Sequence, residues 1–350
     1  MREAARLGTT QPSFAIAAET LKRLARVDIS RATVWRHHKE VTNQLEAGLE
    51  REEQHVPVFI LWQDIADMEW IPPQDPIEEH ASVSIDGVKV LIRDEGYREV
   101  KMVSVSKVMV QPRDQESASG TEMVAGCNEE PGASEEGEEK GRQDDLKLKH
   151  HSYRAILGDK ATFTPALKAE LARRRVKQAA KISTVNDGAE WIWDLTQTYL
   201  PERRVEILDW SHGMENLAKA ANAAWGEGTP EARAWLAQRE TELWNGKVVQ
   251  VEIGLQQLPR RYKERGDVIR RVKGYIDQHS KRLRYDHFRA EGRPIGSGTV
   301  ESAAKNVVAW RMKRGGQRWS SPGAMRMLAA LGEVHSNRWD TTIQRFAKAA

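Results

Sequence analysis

The chain has 350 residues, enough for one large domain with additions, and its formal net charge is +3 at pH 7. Its single cysteine, Cys127, excludes a disulfide framework and a cysteine-based zinc site. No apolar run approaches the roughly 18 residues that cross a bilayer, and no cleavable signal follows Met1, so we expect a cytoplasmic protein with no membrane partner.

The small net charge conceals an uneven distribution of charged residues. The segment 113–145 has eleven acids and three bases, whereas the segment 281–318 has ten bases and three acids. Charge asymmetry of this kind favours a nucleic-acid partner. Because segment 113–145 is also rich in Glu, Gly and Ser and nearly free of large apolar residues, we predict that it is a disordered acidic insertion.

Residues 1–75 are predicted to form a helical region. Apolar residues recur at helical spacing between residues 15 and 45, the pattern breaks at 27–29, and Ser30 can cap a second helix. That second helix carries three bases: Arg31, Arg36 and Lys39. A helix, a short turn and a basic helix fit a DNA-binding helix-turn-helix, although a plain helical hairpin has the same pattern.

From Ala81 the hydrophobic period changes to two, which predicts a strand. Its inward positions are odd-numbered up to Ile85 and even-numbered from Val88 onwards. A bulge at Asp86-Gly87 would explain this change and re-aim a side chain beside a site, whereas an ordinary Asp-Gly turn is the alternative. A second strand over 97–110 completes an antiparallel hairpin.

Strands and helices are then expected to alternate. We predict strands over 152–157, 181–185 and 203–208, and helices over 165–178, 190–200 and 214–225. Asp187 and Asp209 each follow directly on a predicted strand. The carboxyl ends of strands are where open α/β folds place their chemistry.

Residues 230–287 are predicted to be largely helical, interrupted at 245–246 and at Gly266. Their many charges indicate a separate helical insertion. A final helix is predicted over 321–338.

A Gly-Ser-Gly break at residues 296–298 precedes a run of good helix formers, which predicts a helix from about Thr299 to Met312. Glu301 lies in its first turn, where the helix dipole favours a carboxylate. Basic and aromatic residues follow: Lys305, Trp310, Arg311, Lys313, Arg314, Arg318 and Trp319. One carboxylate in so positive a setting suggests metal-assisted handling of phosphates, although a capped helix with a solvated basic face has the same pattern.

Three acids therefore stand out by context: Asp86 in a strand, Asp187 at a strand end and Glu301 at a helix start. Two divalent ions about 3.5 to 4 Å apart can activate a water or a 3′-hydroxyl and stabilise the leaving oxygen in phosphodiester cleavage. Mg²⁺ prefers such oxygen ligands, with the substrate phosphate completing its coordination.

Three blocks of sequence carry a family resemblance. They are VSIDGVKVLIRDEGYREVK (83–101), VNDGAEWIWDLTQTYLPERRVEILDWSH (185–212) and RPIGSGTVESAAKNVVAWRMKRGGQRWS (293–320). On these blocks the chain resembles the DDE transposases of bacterial insertion sequences, of the ISKra type related to Mutator-like elements. The resemblance covers about residues 81–338, apart from the acidic insertion.

The resemblance implies an α/β fold of the ribonuclease-H-like type, with a mixed sheet flanked by helices. The catalytic core would comprise 81–112 with 146–225 and finish in 293–340, interrupted by an α-helical insertion over 226–292. The implied activity is cleavage and transfer of DNA strands with two Mg²⁺ or Mn²⁺ ions. The implied partners are double-stranded DNA, as terminal inverted repeats and target, and a second copy of the chain, with the protein on the bacterial nucleoid when bound.

Roles for single residues also come from the resemblance. Asp86, Asp187 and Glu301 match the catalytic, metal-binding acids, with Asp209 competing with Asp187 for the second position. Asp209 and His212 match an accessory pair that contacts the scissile phosphate or orders the site; a helix cap and a buried histidine are the alternative. The bases would contact the DNA backbone, which fixes register without reading sequence. The predicted DNA-binding set is Arg31, Arg36, Lys39, Lys305, Arg311, Lys313, Arg314, Arg318 and Trp319.

Two other functions fit the same sequence. One is a ribonuclease-H-like nuclease that cleaves DNA without strand transfer. The other is a DNA-binding regulator that uses the N-terminal helices and keeps the core as a dimer scaffold.

Overall fold

A computed structural model describes residues 1–54, 73–110, 146–259, 263–298 and 304–348. The acidic segment 113–145 and Glu301 lie outside the described residues. The chain forms two compact units. The first comprises residues 1–107, 150–209 and 296–350, and the second comprises residues 108–149 and 210–295.

A five-stranded mixed sheet with flanking helices confirms the predicted α/β class, and its strand order is β3-β2-β1-β4-β5. The strands are β1 (His80–Ile92), β2 (Gly96–Val110), β3 (Leu146–Leu157), β4 (Lys181–Asn186) and β5 (Val205–Leu208). β1 pairs antiparallel with β2 and parallel with β4, and β4 pairs parallel with β5. The predicted hairpin is therefore confirmed.

The helices occur before, between and after the strands. In chain order they are α1 (Arg2–Thr10), α2 (Phe14–Ala25), α3 (Arg31–Gln54), α4 (Lys160–Arg173), α5 (Glu190–Tyr199), α6 (Trp210–Trp225), α7 (Pro230–Trp244), α8 (Val248–Gln256), α9 (Lys263–His279), α10 (Tyr285–Ala290), a π-helical segment (Ala304–Ala309) with a turn (Trp310–Met312), α11 (Ser321–His335) and α12 (Trp339–Lys348).

The predicted bulge at Asp86-Gly87 is wrong. β1 and β2 pair one to one from Ala81 opposite Lys107 to Ile92 opposite Gly96, without a step at Asp86. The hydrophobic parity changes because the two halves of β1 bury opposite faces.

Each face of β1 belongs to its own core cluster. Val83 and Ile85 pack in a cluster with Phe163 of α4 and Ile192 of α5. Val88 and Val90 pack in a second cluster that includes Val307, Val308 and Leu328. A regular strand thus passes from one core to the other.

The predicted pair of N-terminal helices is confirmed. α2 ends at Ala25, Arg26 adopts a left-handed conformation (φ 55°), and Ser30 Oγ accepts the N–H of Thr33 at 3.1 Å. α3 buries Val34 and His38. Its three predicted DNA-binding bases are exposed: Arg31, Arg36 and Lys39.

The N-terminal helices belong to the same compact unit as the sheet. Val41 and Leu45 of α3 pack in one cluster with Ala329 of α11 and Trp339 of α12. Within the region predicted over 1–75, α3 therefore packs on the C-terminal helices.

Some predicted boundaries change. α4 begins five residues before Pro165, because Asp159 caps it by accepting the N–H of Thr162 at 2.8 Å. Gly266 lies inside α9, so the predicted interruption there is wrong.

The second unit starts earlier than the predicted insertion at residue 226. α6 belongs to it, and Trp210 at the start of α6 packs edge-on against Trp244 (5.3 Å between ring centroids) and Tyr285 (4.9 Å). Within the ranges that the structure describes, no helix combines the length and the apolar character needed to cross a bilayer.

A buried ion network ties α4 to the C-terminal helices. The Glu170 carboxylate, fully buried, accepts two bonds from Arg338 at 2.8 and 2.9 Å and pairs with Arg173 at 3.3 Å. Arg338 also donates to Glu333 at 2.9 Å, and Arg173 donates to Glu52 of α3 at 2.7 Å. Burial alone would raise the pKa of Glu170, but the two guanidinium groups outweigh it and lower the pKa to about 2.

We predict that Glu170→Gln destabilises the fold by about 3–5 kcal/mol, because it leaves buried guanidinium charge uncompensated. The pKa of Glu170 falls from 4.5 to about 2 on folding, so its stabilising contribution is complete above about pH 4.5 and is lost as the pH falls towards 2. Urea unfolding between pH 7 and pH 3 measures both effects.

The matched control is Glu3→Gln, which removes an exposed pair with Arg6 at 4.0 Å and should cost less than about 1 kcal/mol. An equal loss of unfolding free energy in the two variants would contradict the proposed contribution of the buried network to stability.

Candidate functional site

Three aspartates occupy neighbouring positions where strands β4 and β5 end beside β1. Asn186 of β4 pairs with Leu208 of β5, and Asp187 and Asp209 are the next residues in each strand direction. Asn186, the last residue of β4, accepts two hydrogen bonds from the neighbouring segments. Ile85 N–H of β1 donates to its Oδ1 at 2.7 Å, and Asp209 N–H donates to its backbone O at 2.8 Å.

A hydrogen bond beyond the paired region relates Asp86 to Asp187. β1 and β4 pair from His80 opposite Lys181 to Val83 opposite Thr184. Past this pairing Ile85 N–H donates to Asn186 Oδ1, and Asp86 and Asp187 are the residues that directly follow this bonded pair. We call Asp86, Asp187 and Asp209 the carboxylate edge.

Strand alternation sets Asp86 on the face of β1 that carries Val88 and Val90. The π-helical segment Ala304–Ala309 packs against this face.

Asp86 and Asp187 are both half-buried, and backbone N–H groups orient both carboxylates. Asp86 Oδ1 accepts the N–H of Gly87 at 2.7 Å, and Asp187 Oδ1 accepts the N–H of Ala189 at 2.9 Å.

Asp209 differs from the other two because it is only 2% exposed. Its Oδ2 accepts the N–H of Ser297, which is also buried and belongs to the Gly-Ser-Gly segment 296–298. Asp209 thus fixes the segment that leads towards Glu301 in the chain.

His212 lies in the first turn of α6, in the second unit, whereas Asp209 is the last residue of the segment 150–209 of the first unit. Its backbone carbonyl accepts Asn216 Nδ2 at 2.9 Å, and its side chain is half-buried. The predicted accessory pair therefore spans the boundary between the two units in sequence.

Glu301, the third predicted catalytic acid, lies outside the described residues. The described chain resumes at Ala304 with a π-helical segment, which buries Ala304, Val307 and Val308 in the cluster of Val88. π-helical turns occur frequently at functional sites. Lys305 on this segment is exposed.

Most of the predicted DNA-binding bases near the C-terminus are exposed, namely Lys305, Lys313, Arg314 and Arg318. Arg314 lies over the ring of Trp310 at 5.5 Å. Trp319 is half-buried, and its Nε1 donates to Met312 O at 3.2 Å.

Arg311 is a correction to the prediction that it lies on the DNA backbone. It is 2% exposed, its guanidinium lies between Phe14 (5.3 Å) and Trp319 (5.2 Å), and it donates to Gly8 O at 3.2 Å. Burial, reinforced by Arg314, lowers its pKa to about 10. The sequence held a signal, because Arg311 follows the buried Val307 and Val308 by one helical turn.

Sequence reasoning missed Asn186, the fully buried residue that joins the strands of the carboxylate edge. Its Oδ1 accepts the N–H of Ile85, and its Nδ2 donates to Thr184 Oγ1 at 2.7 Å. A polar amide at the end of an apolar strand, directly before Asp187, was the available signal.

Carboxylate oxygens are the donors that Mg²⁺ and Mn²⁺ prefer, so Asp86 and Asp187 suit these ions chemically. In the part of the chain that the structure describes, no group of three His, Cys, Asp or Glu side chains is placed to hold a metal ion. Any three-acid site built on Asp86 and Asp187 therefore needs a further ligand or a rearrangement.

Comparison of the chain with protein-family models and with curated proteins gives no match.

We predict that Asn186→Ala lowers the free energy of unfolding by about 1–3 kcal/mol, because the buried N–H of Ile85 loses its acceptor. Asn216→Ala, whose amide bonds only within α6, should cost about 0.5 kcal/mol or less. Urea denaturation of both variants measures the difference, and equal losses would contradict the bridging role of Asn186.

Proposed function

We propose that the chain is a DDE-type DNA transposase with a ribonuclease-H-like core, which cleaves DNA at the ends of its element and joins them to target DNA. One observation carries the proposal. Asp86 and Asp187 directly follow Ile85 and Asn186, which are hydrogen-bonded across the parallel strands β1 and β4, and the segment after Glu301 packs on the face of β1 that carries Asp86.

The spacing of the strands supports a shared metal site. Adjacent strands lie about 4.8 Å apart, so aspartates that follow a bonded pair on two such strands suit shared divalent ions. Glu301 would supply the third acid in the proposal. Two Mg²⁺ or Mn²⁺ ions are therefore the proposed cofactors.

In the proposed mechanism the chain's own residues bind and orient. Asp86 and Asp187, held by the N–H groups of Gly87 and Ala189, provide the negative charge that holds the cations, together with Glu301. When bound, the ions activate the attacking water or 3′-hydroxyl and stabilise the leaving oxygen. Preset carboxylates need little reorganisation when charge develops during the reaction.

Asp209 takes a positioning role in this proposal. Because its carboxylate is buried and accepts the N–H of Ser297, we favour Asp187 over Asp209 as the second metal ligand. For His212 the proposal keeps both accessory roles that the resemblance implies, contact with the scissile phosphate or ordering of the site.

DNA contacts are proposed for the exposed bases of two regions, α3 and residues 305–318. Such bases bind phosphates regardless of sequence and make affinity strongly dependent on salt. Joining two element ends requires two active sites, so we propose a homodimer on double-stranded DNA.

We predict that Asp187→Asn reduces Mg²⁺-dependent cleavage of DNA by about 100-fold or more, while DNA binding is retained. The substrate is a supercoiled plasmid that carries the gene with its flanking genomic DNA. Asp194→Asn is the matched control, an exposed acid of α5 paired with Lys160 at 3.3 Å, and should cleave like the wild type. Equal activity of the two variants would contradict the proposed role of Asp187.

The same assay separates the two alternative functions. Pre-cut ends incubated with target plasmid report strand transfer directly. Cleavage without joining would favour the nuclease, and DNA binding without cleavage by the wild type would favour the regulator.

A further inference from the structure

The first unit contains a cavity of about 410 Å³, and none of the proposed metal ligands is among the residues that line it. It is formed by the start of α2, the N-terminal part of α3, the turn after β1 and residues 311–326. Five bases line it: Lys39, Arg93, Arg311, Arg318 and Arg326. None of the described residues that line it is an Asp or a Glu, so the cavity attracts an anion.

Three aromatic rings also line this basic cavity: Phe14, Trp35 and Trp319. Trp35 is 46% exposed, although it lies on a helix that buries Val34 and His38. Lys39 lies over its ring at 5.4 Å. Lysine and arginine side chains between aromatic rings are typical of proteins that stack nucleobases on the rings and hold the phosphates with the positive charges.

Several buried polar atoms of the lining have no hydrogen-bond partner among the described residues. They are His38 Nε2, Arg311 Nε and Gln317 Oε1. His38 is 5% exposed and Arg311 is 2% exposed. Because buried polar groups are nearly always paired, these atoms point to a ligand that supplies the missing partners.

His38 offers this ligand a neutral ring. Burial, together with the charges of Arg311 and Arg326, lowers its pKa to about 3. At neutral pH the imidazole can therefore exchange hydrogen bonds with a nucleobase edge while the arginines supply the positive charge.

We propose that the basic cavity binds one nucleotide unit, with its phosphate on Arg93, Arg318 and Arg326 and its base stacked on Trp35. The volume lies within the roughly 300–1,000 Å³ of small-ligand sites. An unpaired nucleotide of a DNA strand and a free nucleoside monophosphate share this chemistry. Only the choice of a DNA strand as the source rests on the proposed function.

The experiment measures binding to the full chain in EDTA, so that cleavage plays no part. Two fluorescent DNA duplexes are compared, one fully paired and one with a single unpaired nucleotide, and dAMP, dTMP and inorganic phosphate serve as competitors. The unpaired nucleotide should tighten binding about 10-fold, because its base can stack in the cavity. The mononucleotides should compete better than phosphate.

Pairs of variants, one inside and one outside the cavity lining, test whether the cavity causes the preference for the unpaired nucleotide. Trp35→Ala should abolish the preference for the unpaired nucleotide, whereas Trp310→Ala should keep it, since Trp310 is 43% exposed but does not line the cavity. Arg318→Gln should weaken competition by the mononucleotides. Arg36→Gln, on the same helix as Trp35 but outside the lining, should weaken both duplexes equally.

Each outcome either identifies the ligand, as a DNA strand or a free nucleotide, or contradicts the proposed site. Competition by mononucleotides with equal affinity for the two duplexes would support the site and assign it a free nucleotide. Equal affinity for the duplexes with no advantage of mononucleotides over phosphate would overturn the proposal. Because this readout involves no cleavage, its result is independent of the Asp187→Asn test.

Discussion

The parallel pairing of β1, β4 and β5 is the constraint on which the candidate site depends. Asp86 and Asp187 are far apart in sequence, and the pairing of β1 with β4 brings together Ile85 and Asn186, the residues that precede them. The backbone and side chain of Asn186 hold the edge together, by accepting from Asp209 and Ile85. A shift of one residue in the register would send a carboxylate to the opposite face.

Buried charge fixes the helices around that sheet. Glu170, Arg173, Arg338 and Glu333 form pairs inside the first unit, and Arg154 pairs with Glu53 of α3 at 2.6 Å. Burying an ion pair gains little free energy compared with an apolar core, but breaking one is costly. The network therefore specifies where α3 and the C-terminal helices pack, and with them the bases that the proposed function places on DNA.

Much of the fold could be predicted from the sequence because hydrophobic period and capping act locally. The hairpin of β1 and β2, the strand before Asp187 and the cap at Ser30 follow from such signals. The change of parity in β1 could not decide between a bulge and a regular strand that buries its two faces in succession, because both leave the same pattern in the sequence. The choice between them needs the packing partners on each face.

The site was predictable in part. Strand ends located Asp187 and Asp209, but only the structure shows that Asp209 is buried and bonded to Ser297 whereas Asp187 is half-buried. Arg311 was placed on the surface because it stands among exposed bases, whereas tertiary packing with Phe14 and Trp319 buries it. The basic cavity combines residues from distant segments, which no local pattern could reveal.

The most direct test of the proposed function is a crystal structure soaked in Mn²⁺ and examined for anomalous density. The account predicts metal between Asp86, Asp187 and Glu301, with Asp209 still bonded to Ser297 and outside the coordination sphere. Metal bound by Asp209 in place of Asp187, or carboxylates of Asp86 and Asp187 too far apart to share ions about 3.5–4 Å apart, would contradict it.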